Sequence, residues 1–218
     1  MDLTQHLHDL PIERRLALSY APRTAQPIVL GFLALDNRLA GIVRQAREPL
    51  LGQIKLSWWR DRLNAKELAG GLGDPLLAML DQWGDLRPAL AALADGWEHL
   101  LNEARLDEAA LIAFATARGN VCAAMAMRLG VPGAADEAER AGHDWALADL
   151  AQGLSDPSEI AMARGILRGR DRRRVDLPRD LRPLTVLHGL ARRKQGASSL
   201  LNGPIDGLVA IRLGLFGF

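Results

Sequence analysis

Carboxylates that share one helix face can hold divalent cations against a phosphorylated substrate, and the acids placed to attempt this are Asp36, Asp61 and Asp149. Asp36 follows Phe32-Leu33-Ala34-Leu35 on an otherwise apolar stretch, but the position one turn on is Ala40, which supplies no second carboxylate. Asp149 and Asp156 are seven residues apart and share a face, yet Asp156 precedes Pro157 and has a simpler use as a helix cap. Asp36 therefore reads first as a structural acid paired with Arg38, Arg60 or Arg118. Buried without a partner it would cost several kcal/mol.

The other reactive side chains suggest less. His6, His8, His99, His143 and His188 show no metal-ligand spacing on the expected helices, and His143 and Asp144, being adjacent, point to different faces. Cys122 is the single cysteine, so no intramolecular disulfide forms; on its Ala/Met-rich stretch it reads as a small buried apolar residue. Trp58, Trp59 and Trp97 read as core, with the lining of an apolar tunnel as the functional alternative. Positive charge is concentrated over 164–194, where 11 Lys/Arg face three Asp/Glu, a local balance of +8 in a chain of net charge +1. Within it the loop 169–182 carries Arg172, Arg173 and Arg174, whose guanidinium forks suit a phosphate or an anionic membrane surface. A solvated loop is the simpler reading. Nucleic acid is not expected, because the run lacks interleaved aromatic residues and has no helix-turn-helix beside it.

The elements that would position these groups are helices. Proline recurs at first-turn positions, where its missing N–H costs nothing: Pro27, Pro49, Pro75, Pro88, Pro157 and Pro183 each open a periodic stretch. The spacing predicts helices over 27–45, 49–68, 75–83, 88–103, 108–129, 136–154, 157–167, 183–194 and 205–215. Asp156-Pro157-Ser158-Glu159 approaches a capping box, and Gly130-Val131-Pro132 is a stop signal. Apolar residues surround both of the first two helices, with Leu51, Ile54 and Trp58 forming one stripe of the second, so both are expected inside a bundle.

A length of 218 residues, 49% hydrophobic with aromatic residues at only 5%, suits one all-α domain spanning 1–218. The start, 1–13, mixes acids, histidines and proline and does not read as a secretory signal, and no apolar run approaches the ~20 residues of a membrane span. A cytoplasmic protein is expected, with peripheral membrane contact as an extension. The apolar stretch 208–218 either packs on the bundle or dips into a membrane interface, and packing is the simpler account.

Ser19-Tyr20-Ala21-Pro22, then Phe32-Leu33-Ala34-Leu35-Asp36-Asn37-Arg38-Leu39-Ala40-Gly41-Ile42-Val43-Arg44, then the proline-led helix ending in Trp58-Trp59-Arg60-Asp61 resemble the squalene/phytoene synthase family. The stretch 48–61 closely resembles the degenerate branch of that family that includes the mitochondrial complex I assembly factor and its bacterial relatives. Weaker likeness continues at Ala117-Arg118-Gly119-Asn120 and at the Leu177-Pro178 segment. It is strongest over 19–63.

The resemblance implies a helical bundle of the isoprenoid synthase type with Tyr20, Ala40, Gly41, Arg44, Gln53, Trp59, Arg60 and Asn120 lining a central cavity. Active members condense two prenyl diphosphates with Mg²⁺ held by two aspartate-rich motifs. Here the first motif falls on Ala40-Gly41-Ile42-Val43-Arg44, where no acid remains, and the second near 145–157. No metal ligand set and no cofactor is then expected. The implied function is a non-catalytic protein that binds a prenyl lipid or a partner protein, in the manner of a respiratory-complex assembly factor. The alternatives are an active Mg²⁺-dependent prenyl transferase using Asp36, Asp61 or Asp149, and a regulatory or nucleic-acid-binding protein using the arginine loop.

Overall fold

The computed structural model describes residues 3–66, 74–101, 105–171, 173–193, 209–210 and 212–215. Ten α-helices run in chain order: α1 Leu3–His8, α2 Ile12–Ser19, α3 Gln26–Gln45, α4 Pro49–Asn64, α5 Pro75–Leu80, α6 Arg87–Glu98, α7 Glu108–Arg128, α8 Ala135–Gly153, α9 Pro157–Gly169 and α10 Arg182–Arg193. Short 3-10 turns at Asp81–Leu86, Pro132–Ala134 and Arg179–Leu181 join them. Among the described residues there is no strand.

Local chemistry sets the boundaries. Proline stands at the first or second position of α3, α4, α5, α6 and α9. Asp74, Asp107 and Asp156 cap α5, α7 and α9 by accepting bonds from N–H groups of the first turn. The capping box at α9 is only half formed, because Glu159 turns away to accept a bond from the Leu106 N–H at 2.8 Å. α7 stops at Gly130, whose φ of 76° a side chain would resist. Gly130 N–H bonds Met127 O and Val131 N–H bonds Ala126 O, the paired bonds of a Schellman end.

α3 lies at the centre, with every residue from Ile28 to Asp36 buried. α7 and α8 pack closely, and α6 spans α4 on one side and α7 on the other; α10 covers α8 and α2. Glycines permit the tightest crossings. A Cβ on Gly142 of α8 would stand 2.5 Å from Cys122 Sγ and 3.2 Å from Gly119 Cα, both on α7. On α10, a Cβ on Gly189 would collide with Leu213 Cδ1, so Leu213 is seated on this helix, and Ala210 is buried.

Three sequence expectations change. α4 buries only Gly52, Leu56, Trp59 and Leu63. The stripe expected inside the bundle is exposed: Leu51 is 52% exposed, Ile54 57% and Trp58 41%. The reason is that Gly52 sits against Leu101 and Arg60 reaches Asp95 on α6, which turns the opposite face inward. Next, α1 and α2 form over a stretch for which no helix was expected. Finally, α3 and α7 do have the length and apolar character of a membrane span, with best-window mean hydropathies of 1.2 and 1.4, and 61% of each window is buried in the bundle. The expected helix over 205–215 lies mostly outside the described residues, although 209–210 and 212–215 are helical.

Candidate functional site

Four charged side chains meet between α2, α3, α7 and α8. Asp36 on α3 accepts from Arg14 Nη1 at 2.8 Å, from Arg118 Nη2 at 2.9 Å and from Trp97 Nε1 at 3.0 Å. Asp149 on α8 accepts from Arg14 Nη2 and from Arg118 Nη1, each at 2.9 Å. The result is a closed ring of two carboxylates and two guanidiniums with zero net charge. Asp36 and Arg118 are fully buried, Arg14 nearly so, and Asp149 is 21% exposed.

Packing positions the ring as much as charge does. Arg118 lies 4.4 Å from the Trp145 ring centroid and 4.6 Å from that of Phe114, and Arg14 lies 5.2 Å from Trp145. The indole and phenyl faces thus replace water around the cations. Burial pushes the Asp149 carboxyl up, but the charges of Arg14 and Arg118 and their hydrogen bonds outweigh it and hold it below the usual carboxylate range. For Arg14, desolvation lowers the pKa, and Asp149, Asp36 and Glu13 together raise it above its ordinary value.

A second cluster lies at the α8–α10 contact. Asp144, fully buried, accepts from Arg170 Nε at 2.6 Å, Arg192 Nη2 at 2.7 Å and Nε at 3.0 Å, and lies 3.1 Å from His188 Nε2. Burial raises its pKa, and the bonds from His188 and Arg170 with the charge of Arg192 bring it below the ordinary value. Neighbouring His143 is pushed down to about 4 by burial first and by Arg170 second.

The residues singled out in the sequence are dispersed. Of the arginines offered to Asp36, Arg118 is in contact, whereas Arg38 is exposed and Arg60 pairs with Asp95 at 2.8 Å. Asp61 is exposed, 3.8 Å from Arg60. Ala40 and Trp59 are buried; Tyr20, Gly41, Gln53 and Arg60 are half-buried; Arg44 and Asn120 are exposed. None of these eight lines the three main cavities of the described residues. Arg173 and Arg174 do border one of them, and Arg172 lies outside the described residues.

No family model, curated protein or solved structure matches the chain.

Its site is therefore read from its own chemistry. Both oxygens of Asp36 accept from a guanidinium or an indole N–H, and the same two arginines converge on Oδ2 of Asp149. Magnesium does not fit: a divalent cation at these carboxylates would stand against two buried positive charges. Among the described residues no three His, Cys, Asp or Glu side chains gather into an alternative metal site.

Arg14, Trp97 and the Asp144–His188–Arg192 cluster were missed by sequence reasoning. Arg14 had a signal. With Ala17, Leu18 and Ala21 it forms one face at i, i+3, i+4 and i+7, and an arginine within an apolar face announces a buried cation.

Proposed function

We propose that this chain is a non-catalytic binding protein built on a squalene/phytoene synthase-type scaffold of the isoprenoid synthase kind. The observation that carries this reading is the ring of Arg14, Asp36, Arg118 and Asp149. Its two acids come from the helices that the resemblance aligns with the two metal-holding motifs, and the space between them is filled by arginine and aromatic side chains. A diphosphate with its metal would meet two buried guanidiniums there, and none of the cavities described above is lined by these four residues.

Binding then takes place on the outside of the bundle. The exposed row of Leu50, Leu51, Ile54 and Trp58 on α4 favours contact with a partner protein over enclosure of a prenyl chain. An assembly role for a respiratory complex, as the resemblance implies, is of this kind.

The test is incubation with farnesyl or geranylgeranyl diphosphate and Mg²⁺, following pyrophosphate release, alongside affinity capture from cells with wild type and Ile54→Lys. The reading expects no pyrophosphate above the protein-free control, and specific capture that Ile54→Lys removes. Metal-dependent release, abolished by Asp36→Ala, would overturn it.

A further inference from the structure

A cavity of about 330 Å³ opens between α10, the segment 173–175 and the helical residues Val209, Arg212 and Leu213. Among the described residues its lining contains five arginines (173, 174, 192, 193 and 212) together with His188 and Thr185, and no carboxylate. Val175, Val209 and Leu213 supply apolar wall. Basic residues facing one another across a concave, partly apolar surface raise the local positive potential well above that of the same charges on a flat face.

Among the described residues, acids only partly offset the charge of Arg173 and Arg192. Asp144 lies behind the lining and is shared among Arg170, Arg192 and His188. Arg173 reaches Glu137 and Asp171 at 3.4 Å each, beyond the usual length of a charge-assisted bond, and Glu137 is already held by Arg140. Arg192 is held by Asp144 through Nε and Nη2 and by the Asp171 and Leu167 carbonyls, so it lends the cavity edge its charge and not a free fork.

Thr185 adds a second, independent sign. It is 2% exposed, it lines the cavity, and its Oγ1 has no hydrogen-bond partner. A buried hydroxyl without a partner is costly, and a ligand oxygen at the cavity would relieve it. Gly189 contributes by allowing Leu213 to close the rear wall on α10, since a Cβ there would collide with it.

We propose that this cavity binds a compact phosphate-bearing group, a phosphomonoester or diphosphate, through Arg173, Arg212 and the Thr185 hydroxyl, with Arg192 adding positive charge at the edge. Guanidinium forks match the oxygens of such an anion bidentately, and the volume lies at the small end of ligand pockets, enough for a headgroup with a short stem. The same chemistry is presented by a soluble phosphorylated metabolite and by an anionic lipid headgroup. The site stands apart from the central ring and does not depend on the reading of that ring.

Isothermal titration with inorganic phosphate and with pyrophosphate, at constant ionic strength, tests the proposal. Pyrophosphate is expected to bind and to protect the amides of α10 from hydrogen exchange. Thr185→Val combined with Arg212→Ala is expected to weaken binding at least tenfold, with the melting temperature of the free protein unchanged or raised. Arg105→Ala, at an exposed arginine paired with Asp156, is expected to leave binding intact. Co-sedimentation with phosphatidic acid vesicles, competed by pyrophosphate, supports a lipid source; binding of pyrophosphate without vesicle binding supports a soluble one. No heat and no protection of α10 would overturn the site, as would equal losses in the Arg105 variant and the cavity variant. The exchange measurement on the wild type stands even if the double variant fails to fold.

Discussion

Asp36 and Asp149, one on α3 and the other on α8, are joined through the same two guanidiniums, each of which donates to both carboxylates. Asp36 is closed off on both oxygens, Asp149 is held through Oδ2, and both arginines are buried. The centre of the bundle is in this respect an electrostatic keystone and not a cavity.

Removing one member leaves an uncompensated buried charge. Asp36→Ala is expected to cost about 3–5 kcal/mol in urea unfolding, as for other broken buried pairs. A double-mutant cycle of Asp36→Ala with Arg118→Met should return a coupling on the order of 1–3 kcal/mol. Additive losses would mean that packing around Arg118, and not the ring, carries the effect.

Acid should act in two stages. His143 has its pKa lowered from 6.5 to about 4. Between these values the unfolded chain takes up a proton that the native protein refuses, so stability falls as pH falls from 6.5 to about 4. The loss is on the order of 1–3 kcal/mol. Asp144 and Asp149, both held below their ordinary value, stabilise the fold at higher pH and lose that contribution as pH falls below 3.8 through their native pKa values. Chemical denaturation of His143→Gln at several pH values should show the upper stage flattened and the lower one kept.

The α7–α8 crossing leaves no room for one methyl group. Gly142→Ala would place a Cβ 2.5 Å from Cys122 Sγ. A loss of about 1–3 kcal/mol is expected. Cys122→Ala should restore only part of it, because Cys122 Cβ itself is 2.9 Å from that position. The thiol of Cys122, buried and pushed up to about 12, should resist alkylation at neutral pH until the protein unfolds.

The two faces of α4 should respond differently. Ile54→Lys, on the exposed row, is expected to change stability by less than about 0.5 kcal/mol. Leu56→Ala, on the face against α6, should cost about 2–5 kcal/mol. Thermal melts of the two variants separate a docking surface from core.

The helices that proline announces were legible in the sequence because cap and breaker chemistry is local. Pro27, Pro49, Pro88 and Pro157 each begin a helix where the periodicity places it. α2 was not legible, since Pro11 precedes it and Glu13, Arg14 and Arg15 break its apolar pattern. Of the ring, the Asp36–Arg118 pair was among those the sequence offered, whereas Arg14 and Asp149 are brought together by tertiary packing and no spacing rule connects them. The exposed row of α4 escaped notice because its composition is apolar on both faces, and only the seat of Gly52 on Leu101 decides which face turns inward.

The closed ring also constrains how the sequence can drift. Each of its four positions is tolerable only in the presence of the other three, since a single loss removes a large part of the ~5–15 kcal/mol that holds a domain folded. Replacing all four together by well-packed apolar residues carries no such penalty. Positions 14, 36, 118 and 149 are thus one unit of inheritance. A descendant line is expected to keep all four or to exchange them as a set.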